Sequence, residues 1–138
     1  MPFVKFMTNL SKDKFPLQFM PLFCKELASI LNKPLPSVNW VLETDKHMSK
    51  VSWLDDYCIY IWVLCHIQLQ GPDSESTPYI MVEIAAIAVF DTKDTCKVHA
   101  PKIFQALTKF TGQPQENIHV LMKPLEKHNV AVNGAIKE

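Results

Sequence analysis

The chain has 138 residues, of which 48% are hydrophobic, and its 14 basic side chains are balanced by 14 acidic ones. This length allows one domain with a substantial core, and the lack of a basic surplus argues against nucleic-acid binding. Only three glycines accompany ten prolines, and no glycine-rich phosphate loop is present. We therefore expect a single globular domain over residues 1–138 that binds no nucleic acid.

The first predicted element is a strand over residues 2–10, and it begins at a proline, Pro2. An initiator Met before a small residue is normally removed, which would leave Pro2 with a free secondary amine. An α-amino group has a pKa of about 7.7–8.0, and burial or a nearby cation would lower that pKa. Such a base suits proton transfer to and from carbon. Taken alone, Pro2 is more often only a processing signal or the start of an edge strand.

A helix and a second strand follow. Residues 15–31 carry apolar side chains at helical spacing, and Pro21 would remove an interior hydrogen bond, so the helix either starts late or kinks there. Asn32-Lys33-Pro34 ends this helix, and residues 38–42 predict the second strand.

The same order of elements returns in the second half of the chain. Residues 79–90 form an almost continuous apolar run, which predicts a strand buried on both faces. Asp91 or Thr92 can cap a helix that runs to about Phe110, and Gly112 suits a left-handed helix end. Residues 118–122 predict the fourth strand.

The two halves form an internal repeat. Residues 32–42 align with residues 112–122 at a constant offset of 80, with proline on proline and apolar on apolar positions. We assign repeat one to 2–46, repeat two to 79–124 and a C-terminal segment to 125–138. Two right-handed βαβ units would build a four-stranded sheet with two helices on one face. The uncovered face of such a sheet predicts self-association.

With these elements in place, the chain resembles the tautomerase superfamily. It is most similar to the family of macrophage migration inhibitory factor and D-dopachrome tautomerase, and is closer to the second. The resemblance covers residues 2–42 and 84–134, and it is carried by Pro2-Phe3-Val4, Thr8-Asn9-Leu10, Lys33-Pro34, Ile84 with Ile87, and Pro124-Leu125-Glu126 with Gly134. It implies an α+β fold whose subunits close into a homotrimer.

The resemblance also implies an activity and a site. The activity is keto–enol tautomerisation of a small aromatic substrate of the phenylpyruvate or D-dopachrome type, by an isomerase or lyase without cofactor or metal. Pro2 would be the general acid and base, and Lys33 would hold a substrate carboxylate or polarise an enolate oxygen. The substrate-binding positions would be Lys33, Ile87, His119 and Val130. Each has a purely structural alternative: a cation at a helix end for Lys33, and packing for the other three.

A second function is implied by the same family, namely a cytokine-like protein that binds a cell-surface receptor and has weak or lost tautomerase activity. Three departures from the family pattern favour it. Leu121 lacks a positive charge, Ala86 lacks a hydroxyl group, and Ala88 places a methyl group where we expect little space. We expect a cytoplasmic protein without a membrane span. The resemblance implies that such a protein can also be released without a signal peptide. An unrelated α+β interaction module is a third alternative.

The largest departure is an insertion of about 20 residues, 51–70, which contains Cys58 and Cys65. It could be an additional hairpin or edge strand on the trimer, a membrane-binding or partner-binding patch, or a translated intron; transcript sequencing would decide the last. The four cysteines form no CxxC pair, and we interpret them as free thiols in a reducing compartment.

Overall fold

The computed structural model describes residues 1–46, 48 and 78–136. The insertion 51–70 and its two cysteines lie outside the described residues. The main elements, in chain order, are β1 (Pro2–Thr8), α1 (Phe19–Ile30), β2 (Asn39–Glu43), β3 (Ile80–Ala86), α2 (Lys93–Thr111) and β4 (Ile118–Pro124).

The four strands form one mixed sheet in the order β2-β1-β3-β4. Within each half the strands are parallel, β1 with β2 and β3 with β4, because a helix connects them. The two halves meet through the antiparallel pair of β1 and β3. The predicted α+β fold, with two βαβ units in a single sheet, is confirmed.

The first helix starts late, which resolves the question that Pro21 raised. α1 begins at Phe19, whose N–H donates to the carbonyl of Pro16 at 3.0 Å. Pro21 is then the third residue of the helix, where an N–H would have no acceptor within the helix. The missing donor therefore costs no intrahelical bond, and no kink is required.

Both helices end at a left-handed residue, at positions 80 residues apart, although their capping hydrogen bonds differ. Asn32 has a φ of 51° and Gly112 a φ of 69°, both in the left-handed region. After α1, the N–H of Lys33 donates to Ala28 at 2.8 Å and that of Asn32 to Ser29 at 3.2 Å, which is a Schellman motif. Short 3-10 turns follow at Leu35–Ser37 and Gln115–Asn117. The sequence offset therefore corresponds to a repeated backbone geometry.

The start of α2 is fixed by Thr92, one of the two predicted caps. Thr92 and Thr95 form a reciprocal capping box, in which each hydroxyl accepts from the other residue's N–H at 3.2 Å. Pro101 lies inside this helix and lacks the N–H that would bind the carbonyl of Lys97. Both residues are exposed, so water can bind that carbonyl.

The prediction of a strand buried on both faces over residues 79–90 was wrong. β3 ends at Ala86 and a turn follows over residues 87–89. Alternate residues of β3, from Ile80 to Ala86, are buried against the helices, while Met81, Glu83 and Ala85 are half-buried on the opposite face. An apolar run containing several alanines carries no alternation that would reveal which face is covered.

The core lies between the helices and one face of the sheet. Phe6 of β1 is fully buried and contacts Phe15 and Phe19 edge-on, with ring centroids 5.8 and 5.3 Å apart. The opposite face carries a row of paired residues across all four strands, namely Val41, Lys5, Glu83 and Leu121. Val41 is 53% and Leu121 47% exposed, so no part of the described chain covers this face.

A small C-terminal hairpin was not predicted. β5 (Ala131–Val132) and β6 (Ala135–Ile136) pair antiparallel around Asn133-Gly134, whose φ angles are 54° and 79°. Asn-Gly between short apolar pairs is the usual sequence of a type I′ turn, so a signal was present. Among the described helices, none combines the length and the apolar character needed to cross a bilayer.

Candidate active site

Several of the predicted site residues lie at one end of the sheet, where β1 begins and β3 and β4 end. Because β1 and β3 are antiparallel, Pro2 at the start of β1 pairs with Ala86 at the end of β3. Ala86 in turn pairs with Pro124 at the end of β4. The chain leaves the sheet at both places, and the N–H of Leu125 donates to the carbonyl of Ala86 at 3.1 Å. Pro2, Ile87 and the segment after Pro124 therefore share this edge.

The environment of Pro2 is apolar. Its ring is fully buried, and it lies in the row of Ala86 on the face that the helices cover. In the unprocessed chain Met1 precedes it, and the nitrogen is then a non-basic amide. If Met1 is removed, the nitrogen becomes an amine in a poorly hydrated position, which disfavours its charged form.

Ile87 lines a surface depression of about 460 Å³ next to this strand pair. Its apolar part consists of Ile87, Ala88 and Leu125, and its rim carries Asp91, Glu126, Lys127 and His128. The rim is positioned by a 3-10 turn over Lys127–Asn129, in which the N–H of Val130 donates to the carbonyl of Lys127 at 3.1 Å. The volume is within the usual range for small-molecule sites.

Most residues of this depression were not predicted as site residues. Ile87 was, whereas Asp91 was predicted only as a helix cap, and Leu125 and Glu126 were named only as part of the family motif. Lys127 and His128 were not named. A signal was available, because these charges directly follow the predicted fourth strand, and polar groups at strand ends commonly line sites.

Lys33 lies at the same end of the sheet as Pro2. The Schellman motif after α1 fixes its backbone, and six residues later Asn39 pairs with Phe3, the neighbour of Pro2. Lys33 is half-buried and forms no salt bridge with another described residue. It does not line the depression next to Ile87.

His119 lies at the other end of the sheet. It pairs with Met81, and Met81 pairs with Met7, five positions along β1 from Pro2. At about 3.3 Å per residue this separates His119 from Pro2 by about 17 Å along the strands. Its ring contacts Tyr79, with centroids 5.2 Å apart. Within one chain, His119 therefore cannot act together with Pro2.

The other predicted positions show how the pocket differs from the family pattern. Val130 is only 5% exposed, so little of its side chain is available to a ligand. Ala86 is fully buried and presents a methyl group where the family has a hydroxyl. We expected little space for the methyl group of Ala88, but this residue is exposed. Its unfavourable feature is the backbone, because its φ of 54° is in the left-handed region that alanine adopts at a cost in free energy.

The two described cysteines, Cys24 and Cys96, do not line the depression next to Ile87. Cys24 is buried in α1, and burial raises the pKa of its thiol to about 11. Such a thiol is protonated at neutral pH and is a poor nucleophile. Cys96 of α2 is half-buried, with its sulfur 3.8 Å from the carbonyl oxygen of Phe90.

This fold is that of the tautomerases, as similar solved structures show. Macrophage migration inhibitory factor from Trichinella spiralis superposes with a TM-score of 0.70 at 18% identity and covers 97% of this chain and 98% of its own. The protein of the same name from Oncomelania hupensis gives a TM-score of 0.71 at 15% identity, covering 100% of this chain and 83% of its own.

Sequence comparison identifies the family. The profile of the macrophage migration inhibitory factor (MIF) family matches residues 1–71. D-dopachrome decarboxylase-B from Xenopus laevis is 29% identical over 136 residues, covering 99% of this chain and 97% of its own; the decarboxylase from Xenopus tropicalis is 27% identical with the same coverage. The chain belongs to the MIF family, and the resemblance seen in its sequence is confirmed.

Proposed function

We propose that the protein is a keto–enol tautomerase that acts on small aromatic substrates, with the amine of Pro2 as general acid and base. The observation that carries this proposal is the position of Pro2: it opens β1 in a buried, apolar place next to the end of β3, where Ile87 lines a depression. A neutral amine there could take a proton from a carbon next to a carbonyl and return it.

Lys33 is the proposed partner of Pro2. Its ammonium group would stabilise the charge that develops on the enolate oxygen, or bind a substrate carboxylate. Its backbone is held at the same end of the sheet by the Schellman motif, and no described salt bridge occupies its ammonium group. Ile87 would form an apolar wall, whereas Val130, which is only 5% exposed, would contribute little to it.

His119 could join the site only through a second subunit, because it lies about 17 Å from Pro2 in its own chain. We infer a homotrimer, the assembly expected for this fold. The uncovered face with Val41 and Leu121, both about half exposed, supports self-association. Sedimentation equilibrium would test this: a monomer at micromolar concentration would contradict it.

The test of the mechanism begins with the chain terminus. N-terminal mass spectrometry should show that Met1 is absent, because a retained Met1 leaves no basic nitrogen. Turnover of hydroxyphenylpyruvate and dopachrome methyl ester is then compared between the processed protein and the variants Pro2→Gly and Lys33→Ala, with Lys25→Ala as an exposed control. We expect losses of about 10²-fold or more for Pro2→Gly and no loss for the control. Equal turnover by wild type and Pro2→Gly would contradict the mechanism.

The second candidate function is a cytokine-like binding protein of the same fold with little activity. Leu121 supports it, because this position is exposed and carries no charge to bind a substrate. Ala86 supports it too, since a buried methyl group offers no hydrogen bond. A processed, trimeric protein that turns over neither substrate would favour this function.

A further inference from the structure

The rim of the depression next to Ile87 carries charges of both signs. Asp91 and Glu126 are acidic, Lys127 is basic and His128 is basic when protonated, and all four side chains are exposed. None of the four forms a salt bridge with another described residue. Other described lysines, such as Lys12 and Lys25, also form none, so the lack of a salt bridge does not by itself distinguish the rim. What distinguishes the rim is that charges of both signs lie around one apolar surface and have no salt-bridge partner among the described residues.

A ligand that complements this surface has three parts. An aromatic or aliphatic body would cover Ile87 and Leu125, which form the apolar part of the depression. A carboxylate would bind Lys127, and a cationic nitrogen would bind Asp91 or Glu126. A purely anionic ligand would meet two carboxylates, and a purely cationic one would meet Lys127, so each would lose part of the attraction to like-charge repulsion.

We propose that this depression binds zwitterionic aromatic molecules, compounds with an aromatic ring, a carboxylate and a cationic nitrogen, in preference to aromatic acids or amines. The proposal rests on the proposed function only for the expectation that such a ligand lies near Pro2. Lys127, Asp91 and Glu126 are then specificity-determining residues, and none of them acts on the reacting atoms.

Calorimetric titration of the processed protein at pH 7.5 tests the charge preference with three matched ligands. Phenylalanine carries both charges, 3-phenylpropionate only the carboxylate, and 2-phenylethylamine only the cation. Because exposed charge pairs contribute little, we expect phenylalanine to bind about two- to fivefold more tightly than either of the others. Equal affinities, or tightest binding of the acid, would overturn the proposal, as would no binding of any of the three.

Variants assign the charges to residues. Lys127→Gln should weaken the binding of phenylalanine and phenylpropionate by about two- to fivefold and leave phenylethylamine unchanged or slightly tighter. The double variant Asp91→Asn, Glu126→Gln should weaken phenylalanine and phenylethylamine and spare phenylpropionate. The control is Lys12→Gln, an exposed lysine in the turn that follows the other end of β1. A control that weakened binding as much as Lys127→Gln would also overturn the proposal.

This experiment separates the two proposals because binding is measured without turnover. An inactive protein that shows the expected order of affinities would contradict the tautomerase alone. An active protein with equal affinities for the three ligands would contradict the preference for zwitterions alone.

Discussion

The two halves of this protein share a backbone plan but differ in what their helices bury. At an offset of 80 residues, Phe19, Leu27 and Leu31 on the core side of the first half correspond to His99, Leu107 and Thr111 in the second. The first three are all at least 96% buried, with exposures of 4%, 0% and 4%. The second half therefore repeats the fold with two of these three apolar positions occupied by polar residues.

Two polar residues of α2, His99 and Thr108, carry buried groups without partners among the described residues. The Nδ1 atom of His99 and the hydroxyl oxygen of Thr108 are buried and have no hydrogen-bond partner within the described part of the chain. The counterpart of Thr108 in α1 is Ala28, which has no such group. A buried polar group without a partner costs about 1–3 kcal/mol. The second helix therefore carries a cost that the first lacks, although it is longer, with 19 residues against 12.

The two halves differ in what they contribute: the first mainly to stability, the second also to ligand binding. The first half supplies the aromatic cluster of Phe6, Phe15 and Phe19. The second half supplies the turn after β3 and the charged segment after β4, which together form the depression. Substitutions in α1 should therefore act on the free energy of unfolding, while those in the 87–128 region should act on both stability and ligand binding.

The largest effect is expected at the equivalent pair Phe19 and His99. Phe19→Ala should lower the free energy of unfolding by about 3–5 kcal/mol, because it removes a buried ring that stacks on Phe15 at 4.7 Å. His99→Ala, at a half-buried position, should change it by about 1 kcal/mol or less. Urea unfolding at pH 8 measures both. Equal losses would contradict the view that the first half dominates stability.

The sequence predicted the parts of the fold that depend on local backbone chemistry. Asn32 and Gly112 tolerate the left-handed conformation, and each was correctly placed at a helix end. Thr92 was one of two predicted caps and is the one observed. These predictions succeeded because the determining interactions join residues at most five positions apart.

The predictions from the sequence were wrong or incomplete where tertiary packing determines the structure. The run over residues 79–90 is apolar except for Glu83, so it could not show that the described residues leave one face of β3 uncovered or that the strand ends at Ala86. For the site, Pro2 and Ile87 were named through the resemblance, but the rim from Glu126 to His128 was not. Those side chains meet Ile87 only because β3 and β4 end at the same edge of the sheet.

The next effect concerns Thr108, a half-buried residue of α2 whose hydroxyl oxygen is buried. Thr108→Ala should raise the free energy of unfolding by about 1–2 kcal/mol, because it removes the orphan group and installs the residue of its counterpart Ala28. The matched control is Thr111→Ala, three residues on. The Thr111 hydroxyl donates to the carbonyl of Leu107 at 2.7 Å, so its removal should lower stability by about 1 kcal/mol. If both variants lost stability, the hydroxyl of Thr108 would have a partner in solution.

A smaller gain is expected at Ala88, in the turn beside the depression. Its φ of 54° is costly for alanine and free of cost for glycine, so Ala88→Gly should raise the free energy of unfolding by about 1 kcal/mol. Ala85→Gly, three residues earlier within β3, should lower the free energy of unfolding by about 0.5–1 kcal/mol, because glycine there only increases the conformational entropy of the unfolded chain. Thermal unfolding compares the two variants. Destabilisation by Ala88→Gly would show that the methyl group makes contacts that offset its backbone cost.

The smallest effect should be a dependence of stability on pH between 6.5 and 5, which we assign to His99 in the second half. Burial, together with the positive charge of Lys102, lowers the pKa of His99 below its usual value of 6.5. The unfolded chain then binds a proton at a higher pH than the folded one, so the contribution of His99 is complete above pH 6.5 and is lost as the pH falls below that value. His99→Phe introduces the residue found at the equivalent position of α1, Phe19. It should remove the fall in stability between pH 6.5 and 5. It should also preserve the ring contact with Phe90, whose centroid lies 6.0 Å from that of the His99 ring. The control substitution is His128→Gln, at an exposed histidine on the rim. A slope that persists in His99→Phe would assign the pH dependence to other groups and would weaken the contrast between the two helices.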